Sequence, residues 1–208
     1  MMRRTRHHPG GPQGRPVGAS PLTAVRAISG TGLWLGPVVL VAFQVQSDAL
    51  LAQAIPFSQH GTVTQRVGIT DIAIAYNRPT ARGRLLFPGV VAWGKPWTPG
   101  ADSATRIWFS RDVVIEDQIV AAGEYSIWLI PREAGPWSLI LHRNARTFHL
   151  PYPGEAGEAM RVSIIPTSGD HMDALALYFP IVARDSTILR VHWGSTILPI
   201  RIRARAVE

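Results

Sequence analysis

Asp71-Ile72-Ala73-Ile74-Ala75-Tyr76-Asn77-Arg78 is the stretch on which the fold class turns. Ile72, Ile74 and Tyr76 fall on one face; Asp71, Ala73, Ala75 and Asn77 fall on the other. That period of two marks a half-buried strand. Downstream, residues 105–110, 112–116, 124–130, 137–142, 160–165, 174–179, 187–193 and 196–205 read the same way. Within 124–130, Tyr125, Ile127 and Leu129 share a face, and 137–142 is the expected hairpin partner across the turn at 131–136. In the last segment Leu198, Ile200 and Ile202 alternate with Arg201, Arg203 and Arg205. Gly194-Ser195 reads as a two-residue hairpin connection, and Glu116-Asp117-Gln118 as a turn. No segment after Ala54 carries a helical stripe. Short strands with regular turn signals predict a single all-β domain, an antiparallel β-sandwich, jelly-roll-like or barrel-like.

Upstream of this domain the chain changes character. Residues 1–30 are rich in Arg, Gly and Pro, and an apolar run at 33–43 follows. Gln44, Gln46, Ser47 and Asp48 end the run, and Ala52-Gln53-Ala54 supplies a small-x-small cleavage pattern. A basic leader, a short apolar core and such a site predict a secretory signal peptide over 1–54, cleaved near Ala54, and a mature domain over 55–208. The expected location is therefore periplasmic or extracellular. The alternative is an inner-membrane anchor formed by an uncleaved N-terminal segment. Cysteine is absent, which excludes disulfides, thiolate metal sites and a lipidated cysteine.

The formal net charge is +7, but Arg3, Arg4, Arg6, Arg15 and Arg26 all precede the apolar run. From Ile55 onward 16 basic residues face 13 acidic ones. An excess that small, spread along the chain, is not the basic stripe of a nucleic-acid-binding protein.

Between the first two expected strands runs a long connection, 76–105, with three arginines, one lysine, two tryptophans, four glycines and four prolines. Connections this long that are neither low-complexity nor plainly polar carry function or ordered structure. Arg78 continues the inward face of its strand, where a guanidinium needs a carboxylate or several carbonyls; Asp102 and Glu124 are the expected partners. Trp93 and Trp97 flank Lys95, the only lysine of the chain, and suit stacking on a sugar or aromatic ligand. Both indoles could equally plug the open end of the sandwich. Trp108 and Trp128 belong to the faces opposite Ile107 and Ile127, either exposed together or packed beneath a loop.

Catalytic signatures are thin. Asp170-His171-x-Asp173 is the only compact metal-type constellation and reads as a surface loop. His142 and His149 could converge with Glu155 or Glu158. No Gly-x-Ser-x-Gly elbow, phosphate loop or dinucleotide fingerprint occurs in the domain. No metal and no cofactor is expected.

Several ordered motifs carry a family resemblance: Thr64-Gln65-x-Val67-Gly68, Tyr76-x-Arg78-Pro79, Gly83-Arg84, Gly94-Lys95-x-Trp97, Gly100-Ala101-Asp102, Thr105, and Ala122-Gly123-x-Tyr125-Ser126. With them the chain resembles the bacterial family known as domain of unknown function 2911, over roughly residues 59–206. The resemblance implies an exported β-sandwich without an established activity. The family pattern commonly has Arg after the second tryptophan and Asn at position 102; here Thr98 and Asp102 stand there.

Taken together, these residues predict a non-catalytic envelope or periplasmic module that binds a small ligand or glycan through the 78–102 loop. The candidate site is Tyr76, Arg78, Arg84, Trp93, Lys95, Trp97 and Asp102. The alternatives are a hydrolase using a carboxylate or histidine in the same cleft, and a purely structural module. Nucleic acid is not an expected partner, and contact with a membrane is expected only through an uncleaved anchor.

Overall fold

The computed structural model describes residues 57–205, all within one compact unit, Leu51–Glu208. The expected leader and signal segment lie outside the described residues. Ten strands form two antiparallel sheets. They are β1 (Gln59–Val67), β2 (Thr70–Arg78), β3 (Arg106–Phe109), β4 (Val113–Ile115), β5 (Gln118–Val120), β6 (Gly123–Ile130), β7 (Trp137–His142), β8 (Glu158–Ile164), β9 (Thr167–Val182) and β10 (Ser186–Ala204). The larger sheet has the order β1-β2-β3-β6-β7-β8 and the smaller one β5-β4-β10-β9. This is the sandwich that the alternation predicts; neither sheet closes on itself as a barrel.

The core lies between the sheets. One inner face is Ile72, Ile74, Ile107, Phe109, Tyr125, Ile127, Leu129, Leu139 and Leu141. Opposite stand Val113, Ile115, Leu175, Leu177, Leu189, Val191, Trp193, Leu198, Ile200 and Ile202. Burial of apolar area at this scale is what lets a cysteine-free domain hold together.

Three features depart from expectation. The hairpin at Gly194-Ser195 does not form: β10 is one strand of 19 residues running straight through it. Gly194 takes a left-handed φ of +58°, and the register against β9 shifts on either side of it. Before this bulge the odd positions 189, 191 and 193 face the core; after it the even positions 198, 200 and 202 do. A bulge inverts the inside–outside parity of a strand, and in sequence that inversion is indistinguishable from a turn. Glycine is needed here for a second reason, since a Cβ would sit 2.8 Å from Leu86 Cδ1. Next, Asp170-His171-x-Asp173 lies within β9 rather than in a loop. Finally, β1 and β5 are additional strands; β1 is an edge strand whose covered face, Gly61, Val63, Gln65 and Val67, carries only two apolar side chains of size, so its alternation is weak.

The chain leaving β2 crosses from the large sheet to the edge of β9 in the small one. The Tyr76 hydroxyl accepts from the Leu177 N–H (3.1 Å), and Arg78 Nε donates to the Leu175 carbonyl (3.0 Å). Leu175 N–H donates to the Pro79 carbonyl (2.9 Å) and Ala81 N–H to that of Asp173 (2.7 Å). Backbone groups of an exposed β9 edge are thereby satisfied, and the 79–105 connection starts at the open end of the sandwich.

Candidate functional site

The connection is ordered throughout. Arg82 (φ +51°) and Gly83 (φ +69°) are both left-handed, and Arg84 N–H donates to the Ala81 carbonyl (3.0 Å). Two positive φ values inside an i to i+3 bond make a type I′ turn, at which a non-glycine residue is uncommon. The Arg82 N–H is held by Asp173 Oδ1 (2.9 Å). Beyond it, a single π-type turn at Leu86–Val90 contains a cis Phe87–Pro88 bond. The chain then runs along β6, with Gly94 N–H bonded to the Pro131 carbonyl and Trp97 exchanging both backbone bonds with Leu129 (2.8 and 2.7 Å).

Aromatic packing fixes this segment to the sandwich. Phe87 stacks on Trp93 with centroids 5.5 Å apart and meets Trp137 edge-on; Trp97 stacks on Trp193 of β10 at 5.8 Å and 16°. Trp193 is buried, and its Nε1–H donates to the Asp173 carbonyl (3.0 Å). The turn that follows is knotted from within. Thr98 and Thr105 are fully buried, Thr105 N–H donates to Thr98 Oγ1 (3.0 Å), and Thr105 Oγ1–H donates to the Pro99 carbonyl (2.7 Å). A Cβ on Gly100 would lie 2.6 Å from Thr105 Oγ1, so the turn tolerates no side chain there.

Between these pieces opens a cavity of about 450 Å³, within the range of small-molecule sites. Arg82, Arg84 and Lys95 supply three cations, while Trp97, Trp193, Val90 and Val91 supply apolar and aromatic wall; Ser58, Thr80 and His149 add polar groups. No Asp or Glu lines it. Arg84 is anchored by Nε–H to the Ala81 carbonyl (3.0 Å) and Nη2–H to the Thr80 carbonyl (2.7 Å). Arg82 lies over the exposed Phe57 ring, 5.0 Å from its centroid. The ion pairs of the described residues involve Arg66, Arg106, Arg146, Arg161, Arg201 and Arg205, so none of the three pocket cations is neutralised in this way.

His149 reaches the rim through a loop that pairs with the end of the connection. Ala104 N–H donates to the Thr147 carbonyl (2.9 Å), and His149 N–H to the carbonyl of Asp102 (2.8 Å). His149 Nδ1 lies 2.9 Å from that same carbonyl. A carbonyl only accepts, so Nδ1 carries the proton and Nε2 is left with its lone pair in the neutral ring.

Of the seven predicted site residues, Arg84, Lys95 and Trp97 line the cavity. Tyr76 is buried in the core, and Trp93 belongs to the aromatic plug. Arg78 sits exposed at the rim of the sheet, bonded to a backbone carbonyl; the expected pair with Asp102 or Glu124 is not formed. Glu124 instead holds Arg106 (3.0 Å) and Arg146 (3.3 Å). Asp102 is exposed, at φ +60°, and acts through its carbonyl rather than its carboxylate. Sequence reasoning missed Arg82, Trp193 and the placement of His149. For Arg82 the only signal was Gly83, which marks a turn; arginine is not among the residues a type I′ turn favours at the preceding position.

A second polar cluster lies on the outer face of the large sheet. Trp108 is partly exposed, whereas Trp128 is covered by Tyr152 of the 143–157 loop, edge-on at 5.1 Å. The Tyr152 hydroxyl donates to Glu158 Oε1, and Arg161 Nε–H donates to Glu158 Oε2 (2.9 Å). The hydrogen bond from Arg161 holds the Glu158 carboxyl below its ordinary pKa, and Tyr152 is pushed upward by burial and by the adjacent carboxylate. His142 is buried with both nitrogens used: Asn144 N–H donates to Nδ1 (2.9 Å) and Nε2–H to the Gly154 carbonyl (3.1 Å). The cluster therefore clamps the loop that carries His149. A carboxyl whose folded pKa is depressed stabilises the fold above its unfolded value, and that stabilisation is lost as pH falls through the folded pKa. Glu158→Gln is accordingly expected to lower the melting temperature at pH 7, with the difference from the parent shrinking below about pH 4. A pH-independent difference would show that Glu158 acts by packing alone.

The fold and pocket define a class: a two-sheet antiparallel sandwich with a cationic, aromatic-walled cavity built by one long ordered connection. The family model described as "Protein of unknown function (DUF2911)" matches residues 58–202. The chain belongs to that family. Comparison with curated proteins and with solved structures returned no match.

Proposed function

We propose that this protein is an exported, non-catalytic module that binds a small anionic ligand with a flat or apolar body. The observation that carries the reading is the cavity of about 450 Å³ lined by Arg82, Arg84 and Lys95 with no carboxylate among its walls. Three unneutralised cations around a recess attract an anion and reject a cation. Trp97, backed by Trp193, offers a rigid surface for a ring or an alkyl body. A neutral glycan would leave that charge unanswered, so the anionic class is favoured within the small-ligand reading.

Titration of the purified protein with small phosphates, carboxylates, sulfates and neutral sugars, read by tryptophan fluorescence and calorimetry, tests this. Anions are expected to bind and neutral sugars not, with affinity falling as salt rises. Lys95→Gln is expected to weaken binding about tenfold, the equivalent of one charge-assisted hydrogen bond. Arg82→Asn should weaken binding similarly while leaving stability equal or higher, because Asn accepts the left-handed φ more readily. Sugars binding as well as anions would sink the proposal.

One observation favours a hydrolytic second reading: His149, Ser58 and Thr80 line the same cavity. Turnover of phosphate or carboxylate esters that disappears in His149→Ala would select it.

A further inference from the structure

Eleven large apolar side chains are exposed among the described residues, and three of them line this one cavity. Phe57, Val90 and Leu150 are 86%, 41% and 59% exposed and form part of its lining. Two more exposed apolar residues adjoin the lining in sequence: Leu85 (68% exposed) follows Arg84, and Phe148 (56% exposed) precedes His149, its ring 4.3 Å from the imidazole. Exposed apolar groups gathered around a functional recess, rather than scattered singly, mark an interaction surface.

Their juxtaposition with the charges identifies the partner. Arg82, Arg84 and Lys95 are exposed beside Phe57, Val90 and Leu150 in the lining of the same cavity. An anionic bilayer has the complementary profile, with phosphates at headgroup depth and acyl chains beyond them. Exposed apolar side chains that reach the acyl boundary leave the neighbouring cations at headgroup level, where the phosphates are. A free anion in water would answer the cations and leave the apolar rim unsatisfied. A neutral apolar protein surface would cover the rim and leave the cations unanswered.

From this we infer that the open end of the sandwich docks on an anionic phospholipid surface, with a lipid headgroup phosphate as the ligand of the cavity. The inference rests on the anionic-ligand reading and names its source. It also describes a membrane contact independent of any N-terminal anchor.

Co-sedimentation of the purified protein with phosphatidylcholine vesicles, with and without 30% phosphatidylglycerol, is the test, run beside titration with soluble glycerol phosphate. Partitioning is expected to be at least about tenfold stronger on the anionic vesicles and to weaken with salt. Lys95→Glu should reduce both vesicle and glycerol phosphate binding about tenfold or more. Leu85→Ser combined with Phe148→Ser should reduce vesicle binding about tenfold while leaving glycerol phosphate binding unchanged. Both of these side chains project into solvent, so the double variant is expected to fold, which its melting temperature verifies. Glycerol phosphate binding without vesicle binding overturns the lipid inference and leaves the anion reading standing; failure of both removes both. Equal binding to neutral vesicles, or an apolar rim that instead closes a concentration-dependent dimer, also overturns it.

Discussion

Trp193→Ala is expected to destabilise the protein by about 3–5 kcal/mol, the range for truncating a buried aromatic residue. Trp193 is 3% exposed, on the core side of β10 immediately before the bulge. Its ring is the surface on which Trp97 stacks, and its Nε1–H bonds the Asp173 carbonyl. That carbonyl keeps a second donor, the Ala81 N–H, so most of the loss comes from the cavity and the broken stack rather than an orphaned acceptor. Urea denaturation should show a lower midpoint with an unchanged slope. Trp193→Phe should recover most of the loss, leaving about 1 kcal/mol for the missing hydrogen bond together with a smaller packing deficit. Because Trp97 would lose its backing, anion affinity should fall in Trp193→Ala at temperatures where the fold is intact. A cost below about 1 kcal/mol would mean that the connection is held by its backbone bonds with little help from its rings.

Gly157→Ala is the second large effect. A Cβ at position 157 would overlap the His142 ring, which is buried and pinned through both nitrogens. Its φ is not in the left-handed region, so the penalty arises from overlap alone. Overpacking together with displacement of a doubly bonded ring is expected to cost about 2–4 kcal/mol. The contact has its own suppressor. In a His142→Ala background the added methyl occupies vacated space, so the double variant should be more stable than the sum of the single losses implies. Strict additivity in thermal denaturation would count against the contact. Since the 143–157 loop carries His149 and Leu150 to the pocket, Gly157→Ala should also weaken ligand binding without touching the cavity.

How much of this was legible in the sequence depended on whether a residue's role was local. Alternation at 72–76 and 125–129 reports on a buried face directly, and the two-sheet sandwich follows from such segments. The parity inversion at Gly194 also showed, but a bulge and a turn leave the same trace; only the pairing of β10 with β9 separates them. β1 was faint because its covered face alternates Gly61, Val63, Gln65 and Val67, leaving only two valines to mark an apolar period. At the site, Arg84, Lys95 and Trp97 were found since they cluster within one unusual connection. Trp193 was not, for it reaches the pocket from a strand about a hundred residues downstream, and no one-dimensional signal links it to Trp97. Arg78 was misassigned for an instructive reason: the alternation that aimed it inward ends where the chain crosses to β9, and a backbone carbonyl took the role expected of a carboxylate. The arginine that the resemblance leads one to expect after the second tryptophan would meet a physical obstacle here. Position 98 is a buried hydroxyl that ties the turn to Thr105, where a guanidinium could not be accommodated without rebuilding the knot.

The crossing from β2 to β9 bears on how the protein acquires its shape. Arg78 and Leu175 are 97 positions apart, and Tyr76 and Leu177 are 101 apart. Contacts so distant along the chain form only after a large loop has closed, an entropic cost that slows folding. The cavity walls come from 57–58, from 79–101, from 149–150 and from Trp193, so the recess has no local precursor and comes into being only when the two sheets dock. Refolding followed by a ligand at the cavity should therefore lag behind the appearance of strand signal, and anion binding should act as a late lock on the native state rather than a template for reaching it.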